Sequence, residues 1–516
     1  MPWTNAIPLR AGKRQWFALV ILMIPVLLIS IDNTVLTFAL PSISRSLEPS
    51  GVQLLWMVDV YPLVLAGLLV PMGAIGDRIG RQRILLIGCS GFAVVSGLAA
   101  LAPAPEWLIA ARAGLGCFGA MLMPATLSLL RNIFLDPAQR RTAIAVWASG
   151  FSAGAVLGPI LGGFLLEHFF WGSIFLIAIP LLIPALVLLP LLVPNSKDPD
   201  PGPVDPWSIA LIMVTMVGVV YAIKELSTSG LGVVPVLALL VGLGCGVLFV
   251  RRQLSAREPM LDVRLFRNPV FTGSLACNFT VTIAFVGFIL AFSQYLQLVE
   301  GYSPMHAGIL MIPGMIMTVI GGFVAVPLVR RIRPGVVVSG GLLANALGFL
   351  LCAFTEFLGA GLVLLMASFL VFGFGNGAVQ TLANDMILSA VPPGKAGAAS
   401  AISETTYEFG NVMGAAVLGT VLTAGYQSAV EIPDGVTGGA AEAAGQTLGG
   451  AVDVAQALGG ELGRALMDNA SSAFTSGFAY AALGSTLSCL VGAAITWATL
   501  RRVPPEPGRP ASSSGE

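Results

Sequence analysis

Apolar stretches of about 20 residues, the length an α-helix needs to cross a bilayer, recur along nearly the whole chain. The pattern predicts membrane spans at Trp16–Leu40, Leu54–Gly73, Ile84–Ala104, Trp107–Leu130, Thr142–Leu166 and Trp171–Val193. After a Pro/Asp-rich break come Trp207–Leu226, Gly232–Val250, Val270–Ser293, Met305–Val329, Gly335–Thr355, Leu358–Leu382, Gly397–Gly425 and Ala473–Leu500. These are solid apolar runs, not the alternation of a transmembrane barrel. The first is too long for the apolar region of a signal peptide and lacks a small-residue cleavage site. The expected fold class is all-α and polytopic, with fourteen transmembrane helices.

Composition narrows the function classes. Of 516 residues, 56% are hydrophobic and 10% charged, against about 25% charged in an average soluble domain. Too little charge is present to keep a water-facing surface wet, which excludes a soluble enzyme, a disordered chain, a disulfide scaffold and a nucleic-acid binder. The 26 basic residues instead set orientation. With the amino terminus in the cytoplasm, only Arg45, Lys224 and Arg464 fall outside, and Arg112 lies within the fourth span. The rest are cytoplasmic, as the positive-inside rule requires, so both termini are expected there.

The spans form two similar blocks, a mark of secondary transporters. Residues 1–193 hold six helices. Residues 194–269 hold the linker and two extra helices, and residues 270–516 hold six more with a polar outer loop at 426–470. The architecture reads as 6+2+6. Each block carries a basic loop between its second and third helices, GDRIGRQR at Gly76–Arg83 and VRRIRPG at Val329–Gly335. An intramembrane enzyme finds little support: HExxH is absent, and the GxSxG match GFSAG at Gly150–Gly154 lies inside an apolar span with no preceding strand. The sequence implies no cofactor and no metal. All six cysteines lie in apolar spans without CxxC spacing, and His168 and His306 are too few for a metal site.

Ionisable side chains inside the hydrocarbon are expensive and by default functional. Five stand out: Asp32, Asp59, Arg112, Glu404 and Glu408. Asp32 in SIDNTVLTFALP and Asp59 in LLWMVDVYPLVLAG lie about 12 Å and about 8 Å below the outer ends of consecutive helices, at 1.5 Å per residue. Glu404 and Glu408, in ISETTYEFGNVMG, are one turn apart on one helix face. Two carboxylates that close in low dielectric resist joint ionisation, so at least one is expected to hold a proton. A proton that leaves when a cation arrives is the physics of an antiporter. Arg112 can compensate a carboxylate or serve packing alone.

Two further patterns concern motion. Gly150, Gly154, Gly158 and Gly162 are spaced four apart in the fifth span, with Pro159 and Gly163 beside them. This nearly bare face lets another helix approach closely and slide or rock. In GAIGDRIGRQR, Gly76 and Gly80 permit a sharp turn, and Asp77 can accept from a helix amino terminus or pair with a base such as Arg78 or Arg81. Such a charged latch would hold one conformation at the cytoplasmic face.

Together these residues resemble the major facilitator superfamily. IDNTVLTFALP and RAGLGCFGAMLMPA look like its drug:proton antiporter signatures, GAIGDRIGRQR like its loop motif, and GAVLGPILGG at Gly154–Gly163 like its fifth-helix antiporter motif. FWGSIFLIAIP, REPMLDVRLFRNPVF, LQLVEGYSPMHAGILMIP and SETTYEFGNVMGAAVLG resemble the fourteen-helix drug:proton branch, whose multidrug pumps export quaternary ammonium compounds and other lipophilic cations from bacteria. The resemblance implies a multi-pass inner-membrane antiporter, monomeric, with lipophilic cations, protons and membrane lipids as its partners. Asp32, Asp59, Glu404, Glu408 and Arg112 would then handle proton and cation. Export of another cargo (a lipid, peptide or metabolite) by the same fold is the alternative. Two departures from the branch pattern occur: Leu115–Gly116 replaces its Gln–Gly, and the tenth span has no acid.

Overall fold

A chain with this many apolar runs must satisfy its backbone within each segment, because lipid offers no hydrogen bonds. The computed structural model describes residues 11–49, 51–197, 204–228, 232–257, 259–261, 263–329, 331–355, 361–391 and 396–501, and no strand occurs among them. The first block contains α1 (Lys13–Leu47), α2 (Gly51–Ile79), α3 (Arg81–Ala100), α4 (Pro105–Ile133), α5 (Pro137–His168), α6 (Ser173–Leu176) and α7 (Ala178–Leu192). The extra helices are α8 (Pro206–Thr228) and α9 (Val233–Ser255). The second block contains α10 (Pro269–Gln294), α11 (Pro304–Leu328), α12 (Pro334–Ala353), α13 (Gly361–Ser389), α14 (Ala396–Ala429), α15 (Gly439–Gln446), α16 (Leu448–Leu458) and α17 (Gly460–Leu500).

Several starts follow from local chemistry. Proline opens α4, α5, α10, α11 and α12, where its missing N–H costs nothing and its fixed φ suits the first turn. Asp136, Asn268 and Ser303 cap α5, α10 and α11 by accepting from Gln139, Val270 and His306 amides.

Thirteen helices among the described residues are long and apolar enough to cross a membrane, one fewer than the sequence pattern predicts. The remaining predicted span, Thr142–Leu166, lies in α5, a continuous 32-residue helix. The sixth predicted span is two helices, α6 and α7, parted at Ile177. The expected polar loop at 426–470 is largely helical. There α15, α16 and the first turns of α17 bury Ala444, Leu448, Ala451, Ala455, Leu466 and Ala470 against the second bundle. The Tyr426 hydroxyl ties this cap down by donating to the Ala444 carbonyl at 2.6 Å. Alanine and glycine let these short helices approach closely, a feature hydropathy alone does not register. The predicted cytoplasmic ends at 1–10 and 502–516 lie outside the described residues.

Two separate cores define two bundles. The larger is built only from residues before Pro194. The second takes its buried residues from α10 to α17, with Phe38 of α1 reaching into it. Its centre is aromatic: Phe288 lies 5.2–6.0 Å from Phe292, Phe349, Phe369, Phe372 and Phe478. The bundles meet along two seams, α5 against α11 and α2 against α14. In the first, a Cβ at Gly163 would come within 2.8 Å of the Met305 backbone, and one at Gly308 within 2.7 Å of Pro159. In the second, α8 wedges in from the side, with Met216 and Val220 packed among Leu63, Ala66 and Val412. Helix α9 packs on α8 and exposes Leu237, Leu240, Val247 and Leu248, a surface suited to lipid.

The α8–α9 pair is clasped at one end. Asp205 accepts from Arg252 Nε at 2.5 Å and Nη2 at 3.1 Å, and from the Ser208 hydroxyl at 2.6 Å. The Arg252 hydrogen bonds, then that of Ser208, hold the Asp205 carboxyl well below the usual carboxylate range. Beside them the buried Gln253 donates to Ser208 and accepts from the Leu261 amide.

Candidate functional site

The site begins with how α1 is held. Gly150, Gly154, Gly158 and Gly162 of α5 face Val26, Ser30, Thr34 and Val35 of α1. A Cβ at Gly154 would stand 2.7 Å from the Leu27 carbonyl oxygen, and one at Gly158 would overlap the Thr34 hydroxyl. The Ser30 hydroxyl donates to the Phe151 carbonyl across this contact at 2.6 Å. The stripe therefore packs α5 closely onto α1 within one bundle. Pro159 and Gly163, on the adjacent face, are the motif residues that meet the other bundle. A helix has more than one face, and periodicity alone does not say which neighbour each will find.

Held in this way, α1 presents Asp32 to α4. Arg112 Nη1 donates to Asp32 at 2.5 Å, with the Asp32 side chain 9% exposed and that of Arg112 1%. Arg112 Nε also donates to the Met57 carbonyl at 3.2 Å, and the guanidinium lies 4.4 Å above the Tyr61 ring. One cation thus draws α1, α2 and α4 together. Gly116 makes this approach possible, since a Cβ there would stand 2.6 Å from the Tyr61 carbonyl oxygen. Asp59 is buried on α2, two residues before Tyr61.

Glu404 and Glu408 lie on α14, in the other bundle. Glu408 is fully buried and accepts from the Asn411 amide at 3.1 Å, while Glu404 is half-buried. Thr405, between them, donates to the Ala66 carbonyl of α2 at 3.4 Å, which sets the acids against the first bundle. Beside Glu408 in sequence, Phe409 stacks on Phe279 at 6.0 Å and 13°. Both rings are half-buried, unlike the Phe288 cluster, which fills the bundle core.

Asp77 and Arg81 form an ion pair at 2.8 Å, within the α2–α3 loop and not between bundles. Gly80 has φ +114°, a conformation that glycine alone adopts readily, and this turns Arg81 so that its amide donates to the Ser196 carbonyl at 2.9 Å. The loop is therefore tied to the chain just after α7. Gly76 lies against Ile84, and Arg78 is exposed on the same loop.

Three groups at the site escape a reading based on charge. Tyr61 carries no formal charge, yet a tyrosine ten residues into an apolar helix is a signal, because tyrosine otherwise concentrates at membrane interfaces. Asn411 follows Glu408 by three residues, the spacing that puts both on one helix face. The third is a polar cluster of Asn278, Asn384 and Ser403 that links α10, α13 and α14, with the Ser403 hydroxyl donating to Asn384 Oδ1 at 2.8 Å. Asparagine within apolar runs is its signal.

The fold is that of known transporters. Residues 22–415 match the Major Facilitator Superfamily. The chain is 50% identical over 493 residues to the "Multidrug efflux pump LfrA" of Mycolicibacterium smegmatis, covering 96% of this chain and 98% of that protein. It is 36% identical over 467 residues to the "Methyl viologen resistance protein SmvA" of Salmonella typhimurium, covering 89% and 93%. Among solved structures it is similar to a bacterial homolog to the human lysosomal transporter Spinster in an inward-facing, unoccupied conformation. The TM-score is 0.62 at 19% identity, over 96% of this chain and 98% of that one. The protein is thus a multi-pass transporter of the bacterial inner membrane, not an enzyme, and the chain belongs to the Major Facilitator Superfamily.

Proposed function

We propose that the protein is a proton-coupled antiporter that exports lipophilic cationic drugs and biocides, quaternary ammonium compounds and dyes among them. The observation that carries this reading is that each bundle brings an acid to α2: Asp32, paired with the Arg112 that covers Tyr61, from one, and the fully buried Glu408, on the α14 helix that packs against α2, from the other. A bundle interior holds carboxylates at such cost only if their charge is used. A lipophilic cation can compete with Arg112 for Asp32, and the half-buried Phe279–Phe409 stack offers a flat body a π-face beside Glu408. Protons taken up from outside then neutralise the acids as the cation departs. The names of the relatives support drug export, and methyl viologen, in the name of one of them, is a flat dication.

The working unit is a monomer of three parts: residues 1–193, a linker unit at 194–269 and residues 270–516. With both termini in the cytoplasm, the contacts of Gly163 with Met305 and Pro159 with Gly308 close the outer end. Wedged beside α2 and α14, α8 seals one seam against lipid.

The test is efflux of preloaded ethidium from energised cells. Expression should speed efflux, an uncoupler should abolish the gain, and Asp32→Asn at equal membrane abundance should lose it. Normal extrusion by Asp32→Asn, or insensitivity to the uncoupler, overturns the coupling role.

A further inference from the structure

The two bundle cores are unequal in one respect. Among the described residues the larger takes no buried residue from beyond Val193. The second takes Phe38 of α1, 3% exposed, into a cluster whose other buried members all lie within residues 284–489. Leu166 of α5 packs against the same cluster. Both residues are carried by a stiff frame. Helix α1 runs without a break from Lys13 to Leu47, and the glycines of α5 hold it at Ser30, Thr34 and Val35. Thr34 and Phe38 are four residues apart and share a face of α1, the face toward α5. Beside them α5 meets α11 almost backbone to backbone, at Gly163 with Met305 and at Pro159 with Gly308. Pro159, Gly163 and Leu166 follow at the spacing of one helix face. The seam is thus a close backbone contact with a phenyl ring of one bundle seated in the core of the other.

We propose that Phe38 is the outer gate residue of the transporter: its ring, carried by the first bundle and socketed in the second, must withdraw before cargo can leave, and its bulk sets how tightly the outer end closes. This rests on the reading that the α5–α11 contact closes the outer end. A ring in a close-packed core has neighbours on all sides. Parting the bundles at this seam draws the ring from its socket, breaks those contacts and turns an apolar face toward a wet vestibule. Burial of the ring therefore favours the closed arrangement. Two discrete packings, ring in and ring out, are what a rocking transition requires, because packed cores do not deform continuously. The same helix carries Asp32 six residues earlier, about 9 Å along its axis. Because α1 is continuous between them, a tilt of α1 at the acid moves the ring as well.

Ala307 of α11 belongs to the same cluster, is fully buried and precedes Gly308 at the seam. With the six native cysteines replaced, Ala307→Cys reports opening. In right-side-out membrane vesicles a membrane-impermeant maleimide reaches it when the outer end parts, and its labelling rate follows the open population where opening and closing are fast. Phe38→Ala should raise that rate about tenfold or more, the scale of losing a buried phenyl ring from a core. Phe38→Leu, which keeps a smaller apolar knob, should fall between. Phe349→Ala is the control for general loosening: that ring is 2% exposed in the same cluster but is carried by the second bundle itself. It should lower the melting temperature and leave labelling within twofold. Labelling of Phe38→Ala within twofold of the native gate overturns the proposal, and so does an equal rise in Phe349→Ala. Should Phe38→Ala not reach the membrane, Phe38→Leu carries the test, with a rise above twofold supporting the gate and its absence overturning it. A native gate whose labelling is unmoved by ethidium and by a pH gradient refutes the reading of this seam as the outer closure, a result distinct from failure at Phe38.

Discussion

Replacing Asp32 by asparagine keeps the shape of the side chain and removes its charge. In the native protein the 1% exposed Arg112 donates to Asp32 at 2.5 Å and to the Met57 carbonyl at 3.2 Å, and covers the Tyr61 ring at 4.4 Å. Breaking a buried pair by removing one partner costs about 3–5 kcal/mol, chiefly because the other charge is stranded. The asparagine oxygen still accepts from Arg112, which returns about 1.5 kcal/mol as a hydrogen bond to a charged group. The contacts with Met57 and Tyr61 also remain. The expected net loss is about 2 kcal/mol. The bundle that holds the pair runs from Lys13 to Leu192, and at its size each kcal/mol moves the midpoint by about 2–4 °C. Thermal unfolding in detergent, followed by tryptophan fluorescence, should therefore show Asp32→Asn melting about 4–8 °C lower. Arg112→Gln leaves a partly exposed carboxylate alone and should cost less. The decisive sample is the double variant, which strands no charge and should lose clearly less than the sum of the singles. If the two losses add within about 0.5 kcal/mol, as for independent sites, the ion pair is not a unit and this account of Arg112 is refuted.

Three further outcomes follow from the same contacts. Gly154→Ala should destabilise by about 1–3 kcal/mol through overpacking, because its Cβ meets the Leu27 carbonyl at 2.7 Å. Gly484→Ala in α17, with nothing within 4 Å, should instead gain up to about 1 kcal/mol, so paired melts of the two variants should move in opposite directions. Gly80→Ala forces a side chain into φ +114° and onto Asn195, costing about 1–3 kcal/mol. Faster hydrogen exchange at the Arg81 amide, released from Ser196, checks this. Asp205 gives a pH test: its pKa lies below the ordinary value, so its contribution is complete at neutral pH and lost only as pH falls through that depressed value. Exchange protection in the first turn of α8, corrected for intrinsic rate, should thus hold from about pH 7 to about pH 4. Asp205→Asn should lower it at both.

The candidate site was legible in the sequence where charge marked it. Asp32, Arg112 and Glu408 are conspicuous because so little else in the spans is charged; Arg112 and Glu408 are buried, and Asp32 pairs with Arg112. Tyr61 and Asn411 were not, because neutral polar side chains differ little from their apolar surroundings in any count of charge or hydropathy. The cap at α15 and α16 was read as loop for a related reason, since alanine and glycine build helices whose stability comes from the surface they pack on.

Sequence alone determined what the bilayer demands of the chain. Runs of about 20 apolar residues must be helices in lipid, proline and capping residues set where several begin, and the scarcity of charge singles out the few acids and the arginine worth testing. Which helix each face meets was decided only by tertiary structure. The glycine stripe of α5 packs on α1, Pro159 and Gly163 reach α11, and Arg112 chooses Asp32. Hydropathy orders segments along the membrane normal, but the choice of neighbour depends on shape and hydrogen bonding between residues 80 to 149 positions apart.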